Sequence, residues 1–464
     1  MTRLVLGIKN LDELVANTLY PGATIVVAGH PGAGKTTFAT TVCYSNALNG
    51  KKCLYLSFQE SKVKLYRVAK FLGMDLEKIE KKGLYKFVNL PLTSSCEAIA
   101  DSINKILTEY RPDIVVIDSI NAVLEPIKDP HKRAWLQNYF YQLSEMIKGL
   151  AIIIAELPYG EEKLGLGAIE FVSDAVFVLK HYIIGGKLVR LLEIRKARGS
   201  QIRVAEIPFQ ITEGVGIKVF VPPLLKEIKG FAKPFKFTTS ILKKYIGDIY
   251  ASESILLVTP PYARIPYIAF IAIDLALTNE LKTLVISYKY GPDELKTIIT
   301  NVIKEIINEE VPHEIIEKYA IYEGLNPYGM SIEELLMTEM ELIEQYDPDI
   351  VVFHGVELLT PLMESDPYRY YNLLTNQLYY LKSKGKIIIR HYSYINEEQF
   401  RMQSSVSDIV IRIFLQNKEK IVEPYIYIWR RGKPPVMLSS KELHEEIGKC
   451  LPDIQKVIKE KYLK

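Results

Sequence analysis

The sequence predicts two tandem α/β domains, each a mostly parallel sheet flanked by helices. Three observations predict it. Short apolar runs alternate with helical periodicity through the first half of the 464 residues, the pattern of strands that need helical crossovers. The same order of segments returns in the second half at offsets of 230 to 236 residues, as expected of a duplication. A glycine-rich turn at residues 29–36 joins the first apolar run to the first helical segment.

In the first half, apolar runs at 24–28, 53–58, 114–117, 150–155, 175–179 and 188–194 read as strands, and periodic segments at 36–48, 62–72, 95–110 and 133–148 read as helices. The runs around Gly185-Gly186 and Gly214 read as antiparallel strands joined by turns. In the second half, Tyr346-Asp347-Pro348-Asp349-Ile350-Val351-Val352 echoes Tyr110-Arg111-Pro112-Asp113-Ile114-Val115-Val116, and Leu284-Val285-Ile286-Ser287 echoes Leu54-Tyr55-Leu56-Ser57. Ser407-Asp408 likewise echoes Ser173-Asp174. Pro222-Pro223 and the stretch Gly230 to Pro234 interrupt the pattern, so the expected domains are 1–225 and 226–464.

Composition sets the class. The chain is longer than one core usually supports, and its net charge of +3 divides unevenly. Residues 1–230 hold 30 basic and 23 acidic side chains, and the remainder of the 58 and 55 gives 28 and 32. A basic half is compatible with nucleic acid without requiring it. Cys43, Cys53, Cys96 and Cys450 form no C-x-x-C pair and read as core residues of a reducing compartment. The longest nearly uncharged run, Ile265 to Leu277, contains Asp274 and falls short of the ~20 apolar residues of a membrane span. A cytoplasmic protein without a membrane segment is expected.

Residues Gly29-His30-Pro31-Gly32-Ala33-Gly34-Lys35-Thr36 spell G-x-x-x-x-G-K-T between a strand and a helix, the context in which that motif binds nucleoside triphosphate. Its glycines let backbone N–H groups close around phosphates. The helix opening at Thr36-Thr37 presents free N–H groups and a dipole that favours anions. Lys35 is expected on the β- and γ-phosphates of ATP and the Thr36 hydroxyl on Mg2+. Asp118 closes four aliphatic residues, a place with little use for a carboxylate except near the metal, and Ser119 follows it. Glu60 follows the second strand as Ser57-Phe58-Gln59-Glu60 and is expected to act as the base that polarises water.

These residues give the first half, from about residue 4 to 221, a resemblance to the KaiC family of RecA-like ATPases. It rests on Gly7-Ile8-Lys9-Asn10-Leu11-Asp12-Glu13-Leu14, the phosphate loop, Ser57-Phe58-Gln59-Glu60-Ser61, Asp118-Ser119, Glu170-Phe171-Val172-Ser173-Asp174, Leu192 to Gly199, and Pro208-Phe209-Gln210-Ile211-Thr212. The resemblance implies two tandem RecA-like P-loop domains of the archaeal KaiC-like kind. It also implies a homo-oligomeric ring, usually a hexamer, with ATP between subunits and with Lys196 and Arg198 reaching the neighbour's nucleotide. The family commonly has two glutamates where this chain has Gln59-Glu60, which implies slow hydrolysis. Where relatives often carry Thr-Thr-Glu, this chain has Ile154-Ala155-Glu156.

The second half departs wholesale. Lys35 corresponds to Ile265, Thr36 to Pro266, Gln59-Glu60 to Lys289-Tyr290, Asp118 to His354 and Lys196 to Trp429, while Arg431-Gly432 retains the Arg-Gly pair. Catalysis and autophosphorylation are therefore not expected there, despite Ser404-Ser405 and Ser407. The expected function is an ATP-driven assembly switch or scaffold for protein partners. The alternatives are a recombinase-like ATPase that binds DNA and an ATP-binding structural protein that does not hydrolyse. DNA is disfavoured because one candidate loop, Glu125 to Arg133, mixes charges, and the other, Pro158 to Gly167, carries Glu161-Glu162. Tyr368 to Tyr380 reads as a helix packed on the sheet, with a partner surface as the alternative, and Lys441 to Lys464 as one or two amphipathic helices around Pro452.

Overall fold

The computed structural model describes residues 3–464 except 92–94, 159–171, 185, 203, 222–233, 237–239, 262–265, 308–316, 319, 419–420, 440, 443–444, 446–448, 450–451, 454 and 457–464. Outside the described residues fall Glu170-Phe171, most of the loop to Gly167, most of the expected join, Ile265, Cys450 and much of the segment from Lys441 to Lys464. The chain divides into two compact units, Met1–Val221 and Pro222–Lys464.

The first unit is a nine-stranded sheet: β1 (Thr24–Gly29), β2 (Cys53–Ser57), β3 (Tyr85–Asn89), β4 (Ile114–Asp118), β5 (Leu150–Glu156), β6 (Ala175–Ile184), β7 (Lys187–Ala197), β8 (Glu206–Thr212) and β9 (Gly216–Val219). Its order is β3-β2-β4-β5-β1-β6-β7-β8-β9, parallel from β3 through β6 and antiparallel thereafter. Every residue of β1 and β2 is buried, because helices cover both faces of a parallel sheet and leave no side for alternation. Ile25, Val27, Tyr55 and Ile152 pack on one face with Phe38 and Val42 of helix Lys35–Leu48, whereas Val26, Leu54, Val115 and Ile153 pack on the other with Phe140 and Leu143 of helix Pro130–Ile147. The strand β3 and the short helix Leu76–Lys81 are additions to the expected elements. Edge strand β3 is only partly buried and so lacks the continuous apolar run that marked its neighbours.

The second unit has β10 (Ser254–Thr259), β11 (Thr283–Ser287), β12 (Ala320–Gly324), β13 (Ile350–His354), β14 (Ile387–Ser393), β15 (Ile409–Lys418), β16 (Ile421–Arg430) and β17 (Val436–Ser439). Its order, β12-β11-β13-β14-β10-β15-β16-β17, repeats that of the first eight strands strand for strand. The tyrosine-rich segment is the helix Pro367–Ser383, in which Tyr370 is buried and Tyr368 is exposed.

The second core holds a buried carboxyl. Glu339 accepts hydrogen bonds from the Tyr288 hydroxyl at 2.7 Å and from Gln377 Nε2 at 2.5 Å. Burial outweighs both donors and pushes its pKa from 4.5 up to about 7. A carboxyl raised in the folded state leaves stability intact below the unfolded value and removes it as pH rises through the folded one. The second unit is therefore expected to lose stability between about pH 4.5 and pH 7.5, by up to about 3 kcal/mol. Trp429 lies in β16, and only one other tryptophan, Trp135, is present. Urea unfolding of Trp135→Phe followed by Trp429 fluorescence at several pH values measures the effect; a flat profile, or the same slope in Glu339→Gln, contradicts it.

Candidate nucleotide site

Parallel register brings the candidate residues to one edge. In β1 and β5, Gly29 lies opposite Glu156, and in β2 and β4, Ser57 lies opposite Asp118. The phosphate loop leaves β1 at that edge and feeds helix Lys35–Leu48, whose N-cap is Gly34. Gly34 has φ +104°, and a Cβ there would stand 2.8 Å from Ile211 Cδ1; a Cβ on Gly29 would stand 2.3 Å from the Leu179 carbonyl oxygen. Glycine is thus required by conformation at the first and by space at the second.

Lys35 is buried at the base of the loop, and its ammonium donates to the carbonyls of Gly29 at 2.8 Å and His30 at 3.0 Å. Burial lowers its pKa, opposed by the carboxylates of Glu156 and then Asp118. The Thr36 hydroxyl donates to Asp118 Oδ2 at 3.1 Å, and the Tyr55 hydroxyl donates to the same oxygen at 2.5 Å. Burial pushes the Asp118 carboxyl above its ordinary value, against these two donors and Lys35. Thr37 follows within the helix, its carbonyl accepting from Thr41. A threonine hydroxyl beside an aspartate offers hard oxygen donors of the kind Mg2+ takes alongside phosphate oxygens. Pro31, Gly32 and Ala33 complete the loop, and the Ala33 N–H donates to the His30 carbonyl.

Glu60 stands just beyond β2. Its N–H donates to Ser57 Oγ at 2.9 Å, and its carbonyl accepts from Ser57 Oγ at 3.1 Å and Asn89 Nδ2 at 3.0 Å. Its carboxylate lies near enough to Asp118 to oppose that group's ionisation. Gln59 beside it is exposed.

Lys196 and Arg198 are not brought to this edge. Lys196 pairs with Val176, which pairs with Val26. It therefore sits about 10 Å below Gly29 along the strands and about 10 Å across them. Arg198 lies lower still, its guanidinium 3.5 Å from Asp174 Oδ1, while Asp174 Oδ2 accepts the Thr24 N–H at 2.9 Å. The second unit repeats this clamp: Arg431 is 3.4 Å from Asp408 Oδ1, and Asp408 Oδ2 accepts the Ser254 N–H at 2.9 Å.

Three residues escaped the sequence reading as members of the site. Tyr55 looked like one more strand residue. Glu156 closes an apolar run as Asp118 does, so the same signal marks both. Its Oε1 accepts from the Ser119 hydroxyl at 3.2 Å, and its N–H donates to Asn121 Oδ1 at 2.7 Å. Leu157, the next residue, donates its N–H to Gly29 O at 3.0 Å, and its carbonyl accepts from His30 Nδ1 at 3.1 Å.

At the corresponding edge of the second unit, His354 Nδ1 lies 3.1 Å from Ser287 Oγ, and its ring stacks on His391 at 5.0 Å and on Tyr290 at 5.5 Å. Burial and the neighbouring His391 lower its pKa to about 4, so a neutral aromatic stack stands where the first unit has a carboxylate.

The sheet, phosphate loop and Asp118 define a RecA-like P-loop domain. Residues 4–223, just under half of the chain, match the family model described as ATPase: KaiC. The circadian clock oscillator protein KaiC of Parathermosynechococcus lividus is 28% identical over 210 residues, 43% of this chain and 37% of that protein. KaiC of Rippkaea orientalis is 26% identical over 200 residues, 43% and 38% of the two chains. The circadian clock protein KaiC3 of a Synechocystis strain is 26% identical over 274 residues, 55% and 53%. The chain thus spans between 37% and 53% of the length of these cyanobacterial relatives. Among the described residues, no helix is long and apolar enough to cross a membrane.

Gly34→Ala forces an alanine to φ near +104°, at a cost of about 1–3 kcal/mol. It is expected to abolish retention of a fluorescent ATP analogue while circular dichroism stays unchanged. Retained affinity would show that this loop does not bind the nucleotide.

Proposed function

We propose that the first domain binds ATP with Mg2+ and hydrolyses it slowly, and that the nucleotide state switches assembly of the chain into a homo-oligomeric ring that presents surfaces to protein partners. The observation that carries this reading is the convergence of Lys35, Thr36, Asp118 and Glu60 at one sheet edge. Lys35 and the loop N–H groups hold the β- and γ-phosphates. Thr36 and Asp118 hold Mg2+, which supplies charge neutralisation at those phosphates. Glu60 accepts the proton of a water aligned with the γ-phosphate. Gln59 adds no second carboxylate, which is why turnover is slow.

Lys196 acts on a neighbouring copy, since its place low on the sheet puts it out of reach of its own loop. A cation supplied in trans stabilises transition-state charge and ties hydrolysis to assembly. Arg198 shares that assignment, but the Arg431–Asp408 pair of the second unit shows the same clamp without a phosphate loop, so substitution of Arg198 also disturbs the fold. The second domain serves shape and contacts.

Glu60→Gln is expected to reduce phosphate release at least 100-fold, within the range for loss of a general base, with nucleotide affinity retained. An unchanged rate removes Glu60 from catalysis, and equal near-zero rates in both proteins remove the enzyme assignment. Lys35→Ala and Lys196→Ala are each expected to be inactive alone and to regain activity when mixed, because one copy supplies the loop and the other the lysine. Failure of the mixture to recover, or a monomeric mass in ATP, ADP and no nucleotide alike, contradicts the trans role.

A further inference from the structure

We propose that Tyr55 is a positioning residue of the metal site: its hydroxyl holds the Asp118 carboxylate in the orientation that binds Mg2+ with the nucleotide. This rests on the reading of Asp118 as a metal-holding residue. Tyr55 is fully buried in the middle of β2, its ring stacked on Phe87 at 5.9 Å. From the level of Val116 in the adjacent strand its side chain reaches along the sheet to Asp118, two residues nearer the phosphate edge. Tyr55 and Thr36 donate from different elements, a strand and the phosphate-loop helix, to the single oxygen Oδ2. Neither bond engages Oδ1, so the two donors fix the carboxylate's rotation and leave its other oxygen without a share in them. A ligating carboxylate held by such an outer partner is oriented before the metal arrives.

The second unit supplies an internal comparison. Asp118 corresponds to His354 and Tyr55 to Val285, while the partners of Tyr55 on the edge strand, Tyr85 and Phe87, correspond to Ala320 and Tyr322. The strand positions still correspond: Tyr55 pairs with Val116 as Val285 pairs with Val352. At the end of β13, His354 Nδ1 is hydrogen-bonded with Ser287 Oγ instead. The tyrosine hydroxyl and the aspartate are thus both absent from the second unit, as expected if the one serves the other.

Tyr55→Phe removes one oxygen and keeps the ring. The apparent affinity of the nucleotide complex for Mn2+, followed by electron paramagnetic resonance with ATP bound, is expected to weaken about 10-fold or more. Affinity for the nucleotide without metal is expected to change less than twofold. In an Asp118→Asn background the same substitution is expected to leave Mn2+ affinity unchanged, because Tyr55 acts through the carboxylate. Unchanged or tighter metal binding in Tyr55→Phe overturns the proposal, as does an equal loss in both backgrounds. If Asp118→Asn alone leaves metal affinity intact, the reading of Asp118 itself fails. Thermal unfolding of Tyr55→Phe without metal checks that the core remains packed.

Discussion

Parallel pairing of β1 with both β5 and β6 is the constraint on which the rest depends. It places the C-terminal ends of β1, β2, β4 and β5 at one edge, and each of those ends delivers a polar group: the phosphate loop, Glu60, Asp118 and Glu156. A parallel sheet buried on both faces confines such groups to its strand ends. At this edge the helix after β1 also presents its N-terminus, so backbone dipoles and side chains act at the same place.

The two units separate the requirements of folding from those of chemistry. The same strand order is kept in both, and so is the clamp at the opposite edge, Asp174 with Arg198 and Asp408 with Arg431. That clamp secures the backbone where β1 and β10 begin, which each sheet needs whatever it binds. The residues of the phosphate edge changed together, and a stack of His354, His391 and Tyr290 now fills part of that edge with aromatic contact. The strand order and the polar groups of that edge rest on different side chains, so one is kept where the other differs.

By itself the sequence determined the order of buried strands, the duplication, the phosphate loop and the catalytic candidates on strand ends, because local pattern records each of these: aliphatic runs, glycine spacing, a charge closing an apolar stretch. Edge strand β3 escaped because partial burial leaves no such run. Only the tertiary structure decided what depends on register between distant segments. Tyr55 and Asp118 are 63 residues apart, yet adjacent strands put a hydroxyl and a carboxylate 2.5 Å from each other. Glu156 lies opposite Gly29 through a pairing of strands more than 120 residues apart. The antiparallel return of β7 carries Lys196 and Arg198 away from the phosphate loop of their own domain. Strand direction and pairing, which no local signal encodes, assign each polar residue to one edge or the other.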